Sequence, residues 1–247
     1  MIAMGGNSIS PKNGTGKIEE QFERTREAFD GISHFIKRGY NLCINHGNGP
    51  QVGNEIMRME LTQNTVPPLP LGVCVASTQG SIGYMIQQCL QNKLRKMEVD
   101  REVVTLVSQV IVDKNDDSFK EPIKYIGKRY TKQQSDEMTS YYGWHFKEQE
   151  EGKYRRVVPS PMPEYIMHGK SIKALVDRGT IVIASGGGGI PVYNNRFGNL
   201  EGLDAVIDKD YSAAKMGRII RAKELWIITD VDAVYENFDT SNQNRIS

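Results

Sequence analysis

The sequence predicts an α/β protein built on a mainly parallel sheet, and three observations carry that expectation. Short apolar runs alternate with amphipathic helical patterns in the order strand, helix, strand, helix, strand, which suits right-handed crossover units. Glycine-rich turns follow three of the apolar runs directly, at residues 5–7, 47–49 and 186–189. In an open α/β sheet such turns gather at the carboxyl edge, where ligands bind. With 247 residues the chain can form one large domain or two small ones around a full core.

Ile2-Ala3-Met4 reads as the tail of a strand, and Gly5-Gly6-Asn7 as its turn. Phe22, Phe29, Ile32, Phe35 and Ile36 recur at helical spacing until Gly39 stops the pattern. Asn41–Ile44 is the next strand, and Pro50 suits the first turn of the helix beyond it, which carries Val52, Ile56 and Met57. Residues 62–70 form a proline-rich loop, and Thr78–Tyr84 opens or lies within a long helix running to about Lys96. Val103–Val107 reads as a third strand continued by Gln109–Asp113. Residues 114–164 are polar, tyrosine-rich and punctuated by proline and glycine, as in an inserted lid subdomain. A helix over 169–178, a buried strand over 180–184, a helix after Asp210 and a strand over 225–229 complete the pattern, with no internal repeat.

Charged residues make up 25% and the net charge is +1, so nothing in the charge calls for nucleic acid or an anionic membrane. No apolar run approaches a membrane span, and no signal peptide precedes the first glycines. Cys43, Cys74 and Cys89 lack C-x-x-C spacing, which predicts free thiols in a reducing cytoplasm and no metal site. The first strand is very short and Arg245-Ile246-Ser247 carries no capping element, so residues are expected to be missing on each side.

The chemistry centres on Ser185-Gly186-Gly187-Gly188-Gly189-Ile190-Pro191 and on Asp208-Lys209-Asp210. Glycines at a strand end remove every Cβ from the bend and let backbone N–H groups approach an anion. Asp208-Lys209-Asp210 places one ammonium between two carboxylates, a tether suited to a lysine that must meet a moving phosphoryl group. A flexible linker plus a solvated charge run is the competing reading, and it is weakened because the glycines abut a strand. The chain holds neither G-x-x-x-x-G-K-[ST] nor G-x-G-x-x-G, which excludes P-loop enzymes and ordinary Rossmann dehydrogenases. His46 either touches ligand or packs its glycine turn; His34, His145 and His168 read as structural or exposed.

Gly5–Asn7, His46–Gly53, Thr78–Tyr84, Val157–Pro161, Ser185–Pro191 and Ala205–Asp210 together resemble the carbamate kinases of the amino acid kinase family, in order from residue 2 to about 235. The resemblance implies a three-layer α/β/α sandwich, a single domain over 1–247 with residues 114–164 as a protruding lid, and a cytoplasmic homodimer. It implies reversible phosphoryl transfer between MgATP and carbamate, run in many organisms from carbamoyl phosphate and ADP toward ATP at the end of the arginine deiminase route. Magnesium would come with the nucleotide rather than from protein ligands.

By the same resemblance, Gly5, Gly6 and Asn7 with Gly47, Asn48 and Gly49 would cradle the phosphoryl group and the carbamate. Lys209 would neutralise transferring charge, with Asp210 orienting lysine ammoniums. Met4 stands where many family members carry a lysine. A lid lysine would replace it, Lys124 or its close competitor Lys128, brought over the substrate by lid motion. Gly186, Gly187, Gly188 and Gly189 and the segment from Thr229 through Asp230 and Val231 to Val234 would serve the nucleotide. Carbamate kinases continue past this end with a further lysine on the nucleotide phosphates, so the chain is expected to be truncated. Alternatives are another amino acid kinase with a larger carboxylate substrate, or a nucleotide-binding relative without catalysis.

Overall fold

The computed structural model describes residues 1–10, 14–229, 233–237, 240 and 242–246, with only the backbone of Asn7 and Val234. The first half comprises β1 (Ile2–Met4), α1 (Gly6–Ile9), α2 (Ile18–Lys37), β2 (Cys43–His46), α3 (Gly49–Thr62), α4 (Leu71–Lys96), β3 (Val103–Thr105) and β4 (Gln109–Val112). β5 (Lys124–Tyr130), α5 (Lys132–Tyr142), β6 (His145–Glu150) and β7 (Lys153–Val158) follow. Then come β8 (Pro163–Ile166), α6 (Gly169–Asp177), β9 (Ile181–Ile183), β10 (Ile190–Asn194), β11 (Leu200–Gly202), α7 (Lys209–Ile220), β12 (Trp226–Ile228), β13 (Val234–Glu236) and β14 (Asn244–Ile246).

Side-chain alternation in the short strands decides the layering. The central sheet runs β12-β1-β2-β9-β3, every pair parallel. Ile2, Met4, Ile44, Val103, Ile181 and Ile183 enter one cluster with Phe29, Ile32 and Ile36 of α2 and Ile82, Ile86 and Leu90 of α4. Ala3, Cys43, Val182 and Ala184 enter another with Ile172 and Val176 of α6 and Ala213, Met216 and Ile220 of α7. Both faces are therefore covered, which makes the three-layer sandwich and explains why the strands read as unbroken apolar runs. Helix α2 buries Thr25, Phe29, Ile32 and Ile36 at three- and four-residue spacings, with Glu19 and Glu20 in its first turn and Lys37 in its last. Gly39 ends the helix in the left-handed region at φ +73°.

Residues 103–112 do not form the one strand that their apolar run suggests. The run breaks at Leu106–Ser108, and β4 leaves the central sheet for a second one of order β11-β10-β4-β8. Gln79 of α4 causes the break: its Oε1 accepts from Ser108 N at 2.7 Å and its Nε2 donates to Ser108 O at 3.2 Å. Ser108 O also accepts from Ile190 N at 2.9 Å. The 78–84 motif lies inside α4, which begins at Leu71, and Asn41 and Leu42 precede β2.

The polar insertion folds as a three-stranded antiparallel sheet, β5-β7-β6. Thr131 and Gln134 of its helix α5 form a reciprocal capping box. Pro163 and Glu164 already belong to β8, which pairs with β4. Ile126, Trp144 and Val158 of the insertion share a buried cluster with Val52 and Ile56 of α3 and Leu71, Cys74 and Val75 of α4. The Arg156 guanidinium lies 3.9 Å from the Trp144 ring centroid and donates to Asp204 Oδ2 at 2.7 Å. Among the described residues no helix is long and apolar enough to cross a membrane. All three cysteines are buried and free, and burial pushes the Cys43 thiol up to about 12.

Phe29 joins α2 to the central sheet and is fully buried. Phe29→Ala is expected to lower the unfolding free energy by about 3–5 kcal/mol, read as a shift of the urea midpoint at unchanged m-value.

Candidate active site

The three strands β1, β2 and β9 are neighbours and parallel, so the turns that follow them meet at one edge of the sheet. Gly5 N donates to Ile228 O at 2.8 Å and Gly47 N donates to Met4 O at 2.9 Å. A Cβ on Gly47 would stand 3.0 Å from Gly6 N and 3.5 Å from Lys209 Cδ, and one on Gly6 would stand 3.7 Å from Pro50 Cδ. Gly47 has no room for a side chain because its turn presses on the backbone of Gly6, and Gly5 is similarly close to Ile228 O, whereas a Cβ at Gly6 or Gly49 would meet only ordinary contacts or open space.

Helix α1, which contains Asn7, starts at Gly6, and α3 starts at Gly49; neither has a side-chain cap. Asn48 stands at the N-cap of α3, yet its Nδ2 donates to Thr78 Oγ1 at 2.9 Å instead. The leading amides of both helices lack a side-chain acceptor, which leaves partial positive charge at the edge where the glycine turns converge. An anion is the group this arrangement accommodates.

The four-glycine run is buried beneath these turns. Ser185 opens it in the left-handed region at φ +55°, and Gly188 N and Gly189 N donate to Ser185 O and Gly186 O. A Cβ on Gly186 would overlap the His46 ring, one on Gly187 the Asn48 amide, and one on Gly188 the Ile207 carbonyl. Gln79 Nε2 donates to Gly186 O at 2.9 Å, and Ser212 Oγ donates to Gly188 O. Close packing therefore dictates much of this run, and two of its amides are spent inside the turn rather than turned outward.

His46 packs the turn. It is 1% exposed, and its Nδ1 bonds the Gly47 carbonyl at 2.9 Å. Burial pushes the imidazole down to about 4, against the opposing pull of that carbonyl, so the ring is neutral at pH 7. Asn45, fully buried in β2, donates from Nδ2 to Lys209 O at 2.9 Å and fixes the start of α7.

Asp208 is the N-cap of α7, its Oδ1 accepting from Asp210 N at 2.9 Å. Lys209 does not lie between its two neighbouring carboxylates, as the sequence suggests. Its Nζ pairs with Asp210 Oδ1 at 2.6 Å, whereas Asp208 Oδ2 receives Lys124 Nζ from β5 at 2.8 Å. The cap bond turns one Asp208 oxygen into the helix and leaves the other for a distant partner. Burial alone would raise the Asp208 carboxyl, but hydrogen bonds from Lys124 and the Asp210 amide and the two lysine charges hold it below its ordinary value. Lys128 stands elsewhere, paired with the buried Glu60 of α3 at 2.7 Å, where Glu60 also accepts from the Tyr130 hydroxyl.

Thr229 follows β12 beside Gly5, whose Cβ position is 3.9 Å from Thr229 Cα. Asp230 and Val231 lie outside the described residues, and Val234 begins the β13–β14 hairpin. Cavities of about 460 and 610 Å³ open around Phe35 and Trp226, and no residue of the glycine turns lines them. Among the described residues no cluster of His, Cys, Asp and Glu is placed to hold a metal ion. Sequence reading gave no role to Asn45, Thr78, Gln79 and Ser212. A polar Asn45 between Ile44 and His46 in a buried strand was the available signal.

A model of the amino acid kinase family matches residues 1–247. The chain belongs to the amino acid kinase family. Within that family, it is 42% identical over 245 residues to a carbamate kinase of Pyrococcus furiosus, covering 98% of this chain and 78% of the relative. It is also 42% identical over 249 residues to the carbamate kinase-like protein YahI of Escherichia coli, covering 100% and 78% respectively. Among solved structures, carbamate kinase from Giardia lamblia bound to AMP-PNP superposes with a TM-score of 0.90 at 34% identity, over 99% of this chain and 78% of that one. The same kinase bound to citric acid gives a TM-score of 0.86 at 35% identity, over 96% and 76%.

His46 yields a pH prediction. Its folded value, near 4, lies below the unfolded one of about 6.5. The unfolded chain takes the proton first, so the stability His46 contributes is complete above about pH 6.5 and is lost as pH falls toward 4. Between pH 7 and pH 5 the loss from this group is about 2 kcal/mol. Urea midpoints at both pH values should show a smaller acid loss for His46→Gln than for the wild-type protein, by that amount.

Proposed function

We propose that this chain is a carbamate kinase, an enzyme transferring a phosphoryl group reversibly between MgATP and carbamate. The observation that carries the reading is the meeting of two ammoniums from different elements, Lys209 of α7 and Lys124 of β5, at the strand edge where the glycine turns converge. Its similarity to carbamate kinases, one of them bound to a nucleotide analogue, supports the substrate class.

In the direction of ATP formation, a terminal oxygen of ADP attacks phosphorus while the bond from phosphorus to the carbamoyl oxygen breaks. Carbamate leaves as an anion, and no proton has to move. The transferring group carries spread negative charge, so positioning and electrostatics supply the catalysis. The amides of Gly6 and Asn7 and of Asn48 and Gly49 would hold the phosphoryl group and the carbamate, whereas those of Gly5 and Gly47, expected from the resemblance to join them, are already spent on Ile228 O and Met4 O. Lys209, aimed by Asp210, and Lys124 would neutralise the charge. The Gly186–Gly189 run and the segment 229–234 would lie on the nucleotide side. Magnesium would enter with the nucleotide as part of the substrate, since both Asp208 and Asp210 already hold lysines. A cytoplasmic homodimer, with the insertion between β4 and β8 as its lid, completes the proposal.

The test is ATP formation from carbamoyl phosphate, ADP and Mg²⁺. Lys209→Ala and Lys124→Ala should each lower kcat by about 10²-fold or more. Lys128→Ala, whose ammonium is tied to Glu60, should lose far less. Failure of the wild-type protein to make ATP would overturn the reading.

A further inference from the structure

The two carboxylates that flank Lys209 in sequence serve two different lysines. Lys209 turns to Asp210, so Asp208 Oδ2 is left for Lys124 of β5, at 2.8 Å. The other oxygen, Oδ1, caps α7. One carboxylate thus ties the strand that carries Lys124 to the helix that begins with Lys209.

The backbone around this contact is fixed from a second side. Lys124 stands opposite Val158 in the β5–β7 pairing, at the foot of the insertion rather than its tip. Immediately after Val158, Pro159 O accepts from Val206 N at 3.0 Å, two residues before Asp208. Both contacts bring β5 and the approach to α7 together, and Lys128, four residues farther along β5, is already committed to Glu60.

The ion pair itself is weak enough to open. The Lys124 and Asp208 side chains are 41% and 31% exposed, and such pairs contribute at most about 1 kcal/mol. That is a bias in placement rather than a lock. We propose that Asp208 is a positioning residue whose carboxylate seats Lys124 beside Lys209 before the phosphoryl donor arrives, and releases it to the donor's phosphoryl oxygens. This inference rests on the phosphoryl-transfer reading of the site. It assigns the sequence Asp-Lys-Asp two duties: Asp210 aims the lysine of the helix, and Asp208 places the lysine of the insertion.

Asp208→Asn isolates the charge, because asparagine caps a helix as well as aspartate does. The ligand-free protein is treated with limiting acetic anhydride and the acetylation of each lysine is followed by mass spectrometry. Lys124 should react about two- to fivefold faster in Asp208→Asn than in the wild-type protein, the factor a half-exposed pair supplies. Lys209 should react at an unchanged rate, the thermal midpoint should hold, and Asp208→Glu should restore slow labelling of Lys124. In steady-state ATP formation kcat should fall by a similar factor, while KM for carbamoyl phosphate does not rise, because a negative charge near the donor has also been removed. Unchanged labelling of Lys124, acceleration shared by Lys209, or a KM that rises in step with the loss in kcat would each overturn the proposal. Should the wild-type protein form no ATP, the functional reading fails, and the labelling experiment still decides whether Asp208 seats Lys124.

Discussion

Backbone against backbone, with no Cβ between, is the constraint on which the rest of this structure depends. Gly47 rests on Gly6, and Gly186 and Gly187 lie under His46 and Asn48. The three strand ends can converge only because the positions at the crossing points carry no side chain. What surrounds them then follows. His46 stays neutral in its buried place, and Gln79 satisfies the Ser108 amide, which the bend would otherwise leave buried and unpaired, and adds a second donor to the carbonyls of Ser108 and Gly186. Asn48 gives up its capping bond to reach Thr78.

Charge is arranged around this crossing in pairs of unequal burial. Glu60 is almost wholly buried and holds both Tyr130 and Lys128, so breaking that group would strand a buried charge, which is costly. The Lys124–Asp208 and Lys209–Asp210 pairs keep one partly exposed member or more and can exchange partners at little cost. The insertion is therefore held to the body by this Glu60 group together with Trp144, Ile126, Val158 and the Arg156–Asp204 contact. The lysine at its foot stays available for chemistry.

Much of this was legible in the sequence. Apolar periodicity set the helices and the central parallel strands, and glycine turns after strands located the edge where the proposed site would lie. Less legible was the fate of residues 103–112, because an apolar run does not say which sheet it joins. The pull of Gln79 on Ser108 is a long-range contact that no local pattern encodes. The pairing of Asp208 with Lys124 was hidden for the same reason, since 84 residues separate the two. The glycine run was recognised as a strand-end turn, but its burial under His46 and Asn48 depends on neighbours that only the fold brings together.

The central claim is that backbone contact between the strand-end turns creates the anion site, and Gly47 tests it most directly. Carbamoyl phosphate binding to the wild-type protein and to Gly47→Ala would be measured by calorimetric titration, with circular dichroism confirming that both are folded. The methyl group would stand 3.0 Å from Gly6 N and 3.5 Å from Lys209 Cδ. A folded Gly47→Ala protein that no longer binds carbamoyl phosphate is the predicted result. Binding as tight as that of the wild-type protein would contradict the account.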